Sequence, residues 1–124
     1  MSTPTEFMTD VLSMWTATSR SAREAVLARR FADDVHFYDP DGAFVGHAGL
    51  EEFGASLRAR FPDARFTLAA PPQTAGNGFR AFWRFGPPER PDAVTGMDFV
   101  VWDGQRASAL YAFVERPAAK GGGG

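Results

Sequence analysis

The sequence contains no cysteine, a single lysine and only two histidines in 124 residues. Without cysteine, the chain has no disulfide bond, no thiol nucleophile and no thiolate metal site. Two histidines far apart in the sequence do not suffice for a metal centre, and no glycine-rich phosphate loop is present. We therefore expect a protein that works without a metal ion or an organic cofactor.

Positive charge is sparse and scattered along the chain. The twelve arginines form no basic stripe and the net charge is −2, so nucleic acid is not an expected partner. No apolar run approaches the roughly 18 residues of a membrane span, and the N-terminus lacks the basic and apolar regions of a signal peptide. These absences predict a cytoplasmic protein without a membrane partner.

Aromatic side chains, by contrast, are abundant. Apolar residues make up 44% of the sequence, including twelve phenylalanines and three tryptophans. A chain of this length fits one domain that buries roughly two thirds of its unfolded surface, which is enough for a core and one modest pocket. The last four residues are glycines, which cannot pack. We predict one domain over residues 1–116 and a flexible tail over residues 117–124.

Three segments have the apolar spacing of helices. Thr3-Pro4-Thr5-Glu6 is a capping box with proline at the first helical position, which predicts a helix from there onward. A second box, Ser21-Ala22-Arg23-Glu24, predicts a helix that carries Phe31 on its inner face and ends at Asp33-Asp34. The third helix is predicted over residues 47–61, where proline then stops it.

The rest of the chain reads as extended segments with turn residues between them. The predicted strands are Val35–Asp39, Ala43–Val45, Arg65–Ala70, Phe79–Phe85, Val94–Trp102 and Arg106–Glu115. Asp103-Gly104 joins the last two as a two-residue hairpin turn. Helices followed by long antiparallel strands predict an α+β fold with the helices on one face of a curved sheet.

Asp39 is the first candidate for chemistry. Alternation in the first strand puts it on the same side as Val35 and Phe37, which would carry it toward the core. A carboxylate among apolar side chains is desolvated, which makes it a candidate general base near neutral pH. A simpler interpretation is also open, because Asp39-Pro40-Asp41-Gly42 is a turn sequence in which Asp39 can accept from nearby backbone N–H groups.

Asp98 is the second candidate. It falls inside Val94–Trp102, an otherwise apolar strand, although aspartate is depleted from strand interiors. One explanation is that Asp98 faces a pocket. The alternatives are that the strand lies at the edge of the sheet, or that Asp98 pairs with an arginine such as Arg80 or Arg84.

Several short motifs, in the order found here, resemble those of the nuclear transport factor 2-like superfamily. They are Phe31-Ala32-Asp33-Asp34, Asp39-Pro40, Gly46 before a helix, and Gly96-Met97-Asp98-Phe99 before Asp103-Gly104. Within it, the chain resembles the branch of ketosteroid isomerase and the SnoaL-like polyketide cyclases, over residues 4–115. The resemblance implies a cone-shaped fold with three N-terminal helices packed on a curved, mostly antiparallel sheet. The superfamily includes several enzyme classes and proteins without chemistry.

The resemblance to ketosteroid isomerase implies a role for each aspartate. Asp39 matches the general base, which moves a proton between carbon atoms next to a carbonyl. Asp98 matches a protonated aspartic acid that donates a hydrogen bond to the enolate oxygen. Trp15 and Gly54, however, stand where the family has two tyrosines, one of which completes the oxyanion hole. Losing one such donor typically costs on the order of 10²–10³ in rate, so efficient steroid isomerisation is not expected.

The predicted pocket wall is mainly aromatic. Ala109, Tyr111 and Phe113 share a face of the last strand, which matches the pocket side in the family, so Tyr111 could supply a hydroxyl near Asp98. The residues predicted to bind substrate are Trp15, Phe53, Phe82, Trp83, Tyr111 and Phe113.

Two functions remain open from the sequence. The first is an acid–base enzyme that acts on a small, apolar, steroid-like or polyketide-like carbonyl compound, with Asp39 and Asp98 as its catalytic pair. The second is a ligand-binding or dimerisation module without chemistry, which the missing tyrosines favour. In both cases the resemblance implies a homodimer formed through the sheet.

Overall fold

A computed structural model describes residues 2–115 of the chain. It contains the helices α1 (Pro4–Trp15), α2 (Arg20–Arg30) and α3 (Gly46–Arg60). The strands are β1 (Phe31–Asp39), β2 (Gly42–Val45), β3 (Arg65–Leu68), β4 (Gln73–Ala75), β5 (Gly78–Gly86), β6 (Val94–Trp102) and β7 (Ala107–Glu115). Three helices and one mixed sheet confirm the predicted α+β class. The predicted tail over residues 117–124 lies outside the described residues.

The seven strands form one sheet in the order β2-β1-β7-β6-β5-β3, with β4 also paired to β5. Only the β1–β7 pair is parallel among the described strands, and every other pair is antiparallel. Residues 103–106 join β6 to β7, so the connection is four residues long rather than the predicted two-residue turn at Asp103-Gly104. The Asp103 carboxylate accepts from the backbone N–H groups of Gln105 at 2.9 Å and Arg106 at 2.8 Å, and Gly104 has a positive φ of 96°. The sheet order makes β6 a central strand, paired on both sides.

Helix α1 begins as the sequence predicts. The Thr3 hydroxyl accepts from the backbone N–H of Glu6 at 3.1 Å, and the Thr3 N–H donates to the Glu6 carboxylate at 2.9 Å. This reciprocal pair satisfies two backbone donors that a helix start otherwise leaves free. The apolar stripe of α1 is buried to its last residue, Trp15. The helix therefore ends with an aromatic side chain inside the protein.

Helix α2 differs from its prediction at both ends. The N-cap is Ser19, whose hydroxyl accepts from the Ala22 N–H at 3.1 Å, so the predicted box at Ser21 is wrong. Glu24 is engaged instead by Arg20 at 2.8 Å, one helical turn away. The helix stops at residue 30, because Phe31 has an extended backbone and pairs with β7 as the first residue of β1.

The inner face of the sheet carries the core, as alternation in β5 demonstrates. Phe79, Ala81, Trp83 and Phe85 are buried, whereas the residues between them are exposed. Val35 and Phe37 of β1 are buried in the same way, as predicted. The helices cover this face, and the candidate site lies in the space between the two layers.

Strand β4 is absent from the sequence prediction, and β3 is two residues shorter than predicted. Residues 73–75 are exposed and polar or small, so they carry no alternation that marks a strand. They are extended because their backbone pairs with the start of β5, a tertiary contact that local sequence does not encode.

Candidate active site

One cavity of about 440 Å³ opens between the helices and the inner face of the sheet. Its aromatic wall consists of Trp15, Phe37, Phe53, Phe61, Phe66, Trp83 and Phe85. Four ionisable side chains reach the same space: Asp39, Asp41, Arg60 and Asp98. The volume lies within the range of small-molecule sites, and a mainly apolar wall with a few polar groups is their usual composition.

Asp98 lines this cavity from the central strand β6. It is only 3% exposed, and its two cross-strand neighbours are Ala81 and Ala112, of which Ala112 also lines the cavity. One Asp98 oxygen accepts a hydrogen bond from the Trp83 indole N–H at 2.9 Å, and this is its one hydrogen bond to the described residues.

The buried environment of Asp98 favours the protonated form of its carboxyl group. Burial among apolar side chains raises the pKa of Asp98 from its usual 3.8 to about 7, because desolvation penalises the charged form. The Trp83 hydrogen bond acts in the opposite direction and lowers this pKa, because it favours the carboxylate. At neutral pH the group therefore exists both as an acid and as a carboxylate, so it can donate or accept a proton.

The two simpler interpretations of Asp98 do not hold. Its strand is central rather than at an edge. Arg80 and Arg84 are exposed and lie on the opposite face of the sheet, so neither pairs with Asp98. No arginine or lysine within residues 2–115 forms an ion pair with it.

A glycine allows Trp83 to reach Asp98. Trp83 pairs across the strands with Gly96, and a Cβ at Gly96 would lie 2.3 Å from the Trp83 ring. A side chain at that position would displace the ring, so Gly96 permits the indole to lie along β6 toward Asp98, two residues away. The glycine of the Gly96-Met97-Asp98 motif therefore makes room for the Trp83 ring beside Asp98.

Asp39 lines the same cavity but is only half-buried, so it lies nearer to the cavity mouth than Asp98 does. One Asp39 oxygen accepts from the backbone N–H groups of Asp41 at 2.9 Å and Gly42 at 3.1 Å. The turn interpretation of Asp39 therefore holds, but it does not exclude the pocket interpretation, because Asp39 also lines the cavity. The turn fixes one oxygen and leaves the other without a hydrogen bond to the described residues.

The predicted substrate-binding residues divide between the two faces of the sheet. Trp15, Phe53 and Trp83 line the cavity. Phe82, Tyr111 and Phe113 are exposed on the outer face, where Phe82 and Phe113 flank Met97 across the strands, so their assignment to the pocket is corrected.

The reason for this correction lies in the register of β7. Asp98 pairs with Ala112, which puts the even-numbered residues of this stretch on the inner face and Tyr111 outside. A register shift near Val101 and Trp102 lets both Ala107 and Leu110 be buried, so parity is not kept along the strand. Size and aromaticity do not identify the inner face here.

Sequence reasoning also missed several parts of the wall. Phe37 and Phe85 share a face with Asp39 and Trp83 respectively, so alternation could have found them. Arg60, at the end of α3, also lines the cavity. Its guanidinium carbon lies 5.5 Å from the centre of the Phe61 ring. Strand alternation could not have identified it, because it belongs to a helix.

No group of three or more metal-binding side chains occurs within the described residues. Over the same stretch, none of the helices has both the length and the apolar character that crossing a bilayer requires.

Three helices packed on a seven-stranded mixed sheet give the fold of solved structures described as nuclear transport factor 2-like and as ketosteroid isomerase-like. The family model described as a SnoaL-like domain matches residues 11–110. The chain therefore belongs to the SnoaL-like family. No curated protein sequence matches it at a significant level.

Solved structures with this fold include a SnoaL-like family protein from Agrobacterium tumefaciens, provisionally called an isomerase. It is 25% identical, with a TM-score of 0.82 over 90% of this chain and 97% of that one. A protein with a ketosteroid isomerase-like fold from Catenulispora acidiphila, in complex with trimethylamine, is 20% identical, with a TM-score of 0.73 over 90% and 86% of the chains. A SnoaL-like protein of unknown function from Burkholderia thailandensis is 14% identical, with a TM-score of 0.71 over 90% and 94%.

Proposed function

We propose that this protein is an acid–base enzyme that transfers a proton within a small, apolar carbonyl compound, leading to isomerisation or cyclisation. The observation that carries the proposal is that Asp39 and Asp98 line the same cavity, while the rest of its wall is largely apolar. Two carboxyl groups in different environments can take different roles, one as base and one as acid.

Asp39 is the general base. The turn holds one of its oxygens through two backbone N–H groups, and the other is available to a ligand at the cavity mouth. It removes a proton from a carbon next to the carbonyl, and the electron pair moves onto the carbonyl oxygen. The same aspartic acid then returns the proton to another carbon, which completes an isomerisation without a cofactor.

Asp98 is the acid that stabilises the enolate. In its protonated form it donates a hydrogen bond to the oxygen on which negative charge develops. Because its pKa is raised to about 7 by burial, the proton is present at or below neutral pH without a separate proton source. Activity should therefore fall as the pH rises above about 7.

The test is exchange of the protons next to the carbonyl in deuterated water, followed by NMR for a panel of cyclic ketones and enones. This assay detects enolisation whatever the final product is. Asp39→Asn should lower the exchange rate at least about 100-fold. Asp34→Asn is the matched control, because Asp34 lies on the same strand but is exposed. If Asp39→Asn exchanges as fast as the wild type, Asp39 is not the base.

A second candidate is a ligand-binding module without chemistry. It is favoured by the positions of the tyrosines: both Tyr38 and Tyr111 lie outside the cavity, so no phenol supports the enolate. Under this proposal, ring ketones or trimethylamine, the compound bound by the Catenulispora protein, quench tryptophan fluorescence without any proton exchange. Accelerated exchange by the wild type would reject it.

We also propose that the protein forms a homodimer through the outer face of the sheet. Tyr38, Phe82, Tyr111 and Phe113 are exposed there, and Phe113 is 55% exposed. Tyr38 stacks on Tyr111 with ring centroids 5.0 Å apart, so the aromatic patch extends across neighbouring strands. A contiguous apolar patch of this kind is typical of an interaction surface, and a two-fold dimer uses the same patch on both copies.

Sedimentation at micromolar concentration tests the dimer. Phe113→Glu should give a monomer, because it brings two like charges into the contact. Phe61→Glu replaces a comparably exposed phenylalanine at the cavity mouth and should remain a dimer. A wild-type monomer would contradict the proposal.

A further inference from the structure

The connection between β5 and β6, residues 87–93, borders the cavity at both of its ends. Pro87 and Ala93 line the cavity, as do Gly86 and Val94, the strand residues that flank the connection. The residues between them, 88–92, are exposed. The connection, which we call the rim, therefore forms part of the cavity wall while its middle faces solvent.

The rim consists of two successive β-turns. The Arg90 N–H donates to the Pro87 carbonyl at 2.9 Å, and the Ala93 N–H donates to the Arg90 carbonyl at 3.1 Å. Each turn has a proline directly after its first residue, Pro88 in the first turn and Pro91 in the second. Proline at this position fixes φ near the value that a β-turn requires. The rim is therefore a preformed structure rather than a lid that folds over a bound ligand.

Gly86 allows the rim to pack against the end of β5. It is buried directly after the buried Phe85, so the alternation of β5 ends here. A Cβ at Gly86 would overlap the carbonyl oxygen of Arg90 and would lie 3.0 Å from the carbonyl carbons of Arg90 and Pro91. These are backbone atoms, which cannot rotate away as the end of a side chain could. The same Arg90 oxygen accepts the hydrogen bond of the second turn.

The rim and Asp98 are connected by one stretch of the cavity wall. Val94, which adjoins the rim, precedes Asp98 by four residues on the same strand, or roughly 13 Å at about 3.3 Å per residue. Phe85 pairs with Val94 across the strands, and Phe61 meets Phe85 edge-on with ring centroids 5.7 Å apart. Along β6, the wall therefore runs from the carboxyl group of Asp98 to the rim, and Phe61 narrows the space there from the helix side.

We propose that the rim determines specificity by setting the maximum length of the ligand, and that Gly86 is the positioning residue that fixes the rim. This inference rests on the proposed function in one respect, that the carbonyl oxygen of the ligand meets Asp98. The ligand class is then a compact ketone or enone whose apolar part ends at the rim. A cavity of about 440 Å³ suits such a compound, because it lies toward the lower end of the roughly 300–1,000 Å³ range of small-molecule sites.

A homologous series of ligands measures this length. Cyclohexanones with a straight alkyl chain opposite the carbonyl, from methyl to heptyl, share one polar group and differ only in chain length. Each additional methylene group that is buried should raise the affinity about fourfold, because it is removed from water. For the wild type, NMR titration should show this increase up to one chain length and none beyond it. This length limit marks the contact of the chain with the rim.

Gly86→Ala is the decisive variant, because it adds one methyl group that is directed at the rim backbone. It should displace the rim and move the length limit to a longer chain, with a gain of about fourfold or more for the heptyl compound. The methyl compound should bind as it does to the wild type. Gly49→Ala is the matched control, because its Cβ would meet Phe44 at an ordinary 3.4 Å. This control should leave the length limit unchanged.

Ala93→Leu tests the rim in the opposite direction. Ala93 is half-buried and lines the cavity, so a leucine there occupies space next to Val94. The length limit should move to a shorter chain, and the longest compound that the wild type still accommodates should lose affinity by about fourfold or more. This variant keeps the inference testable if Gly86→Ala does not fold.

The outcomes separate the rim from the function on which it rests. If the wild type binds no member of the series, the ketone-binding cavity and the rim are both rejected. If the affinity rises through to the heptyl compound without a limit, only the rim is rejected. A limit that neither variant moves would place the restriction elsewhere in the wall and overturn the proposal. If Ala93→Leu moves the limit but a folded Gly86→Ala does not, the positioning role of Gly86 is rejected.

Discussion

Ionisable side chains are buried in two regions of the protein, between the helices and in the cavity. They form ion pairs in the first region but not in the second. Between the helices, Arg23 and Arg30 are each 7% exposed, and both are paired, with Glu51 at 2.8 Å and with Asp10 at 2.7 Å. In the cavity, Asp98 is 3% exposed, and its carboxyl group has an indole N–H as its one partner within residues 2–115. The helix layer keeps its buried charges ionised, whereas the cavity favours a neutral acid.

The pairing decides how each region responds to pH. The Arg23 hydrogen bonds lower the pKa of Glu51, so its stabilising effect is present above its usual pKa and is lost as the pH falls through the lowered value. The raised pKa of Asp98 has the opposite consequence. Its contribution is complete below pH 3.8 and is lost as the pH rises through about 7. Acid therefore weakens the helix layer, and base weakens the cavity.

The largest effect should come from Asp98→Asn, which replaces the acid by a neutral group of the same shape. A rise in pKa from 3.8 to about 7 corresponds to about 4 kcal/mol between the fully protonated and fully ionised limits. The free energy of unfolding of the wild type should fall by up to this amount from pH 4 to pH 8.5, relative to the variant. Urea denaturation across this pH range measures the difference.

The comparison with the variant cancels the titration of all other groups, including the two histidines. Asp98→Asn should therefore be clearly more stable than the wild type at pH 8.5 and similar to it at pH 4. A constant difference across this range would mean that Asp98 titrates as an ordinary exposed carboxyl group. The cavity would then not differ from the helix layer in the way that a buried charge changes stability with pH.

The second effect should come from breaking a buried pair in the helix layer. Arg23→Met leaves Glu51 without its partner and should lower the free energy of unfolding by about 3 kcal/mol at pH 7. Arg20→Met is the matched control, because Arg20 forms an equally short ion pair with Glu24 at 2.8 Å that is exposed to solvent. No measurable change is expected for the control, since exposed ion pairs contribute little.

Urea denaturation also measures this prediction. If the two arginine variants lose the same stability, the burial of the Arg23 pair has no special value, and the contrast between the two regions disappears. An Arg23→Met protein that loses as much stability in acid as at pH 7 would contradict the assignment as well, because the Glu51 contribution is expected to fade in acid.

Much of the fold could be predicted from the sequence, because its signals are local. The Thr3–Glu6 capping box and the alternation of β5 each depend on a few adjacent residues. Strand β4 could not be predicted, because its residues are extended only through pairing with β5. The end of α2 was misplaced for a similar reason, since Phe31 joins the sheet through its pairing with Ala107.

The candidate site was predictable only in part. Alternation and the family resemblance pointed to Asp39 and Asp98, and both line one cavity in the structure. The hydrogen bond from Trp83 depends on the absence of a side chain at Gly96, a contact between two strands. Such contacts join residues that are far apart in the sequence. Alternation along a single strand, on which the prediction for Tyr111 relied, could not reveal them.

The smallest effect concerns the hydrogen bond that the Asp98 carboxyl group accepts from Trp83. Trp83→Phe removes the indole N–H, which favours the carboxylate, so the pKa of Asp98 should rise further, by about one unit. Carboxyl ¹³C chemical shifts measured against pH give this value directly. Trp102→Phe is the control, because Trp102 packs on Phe7 and Phe79 away from the cavity.

The direction of this shift discriminates between two origins of the neutral acid. If desolvation dominates, loss of the indole donor leaves the charge of Asp98 still less compensated, and its pKa increases. A decrease would mean that the smaller ring at position 83 admits water to the carboxyl group. In that case the bulk of Trp83, rather than its N–H group, keeps Asp98 protonated near neutral pH.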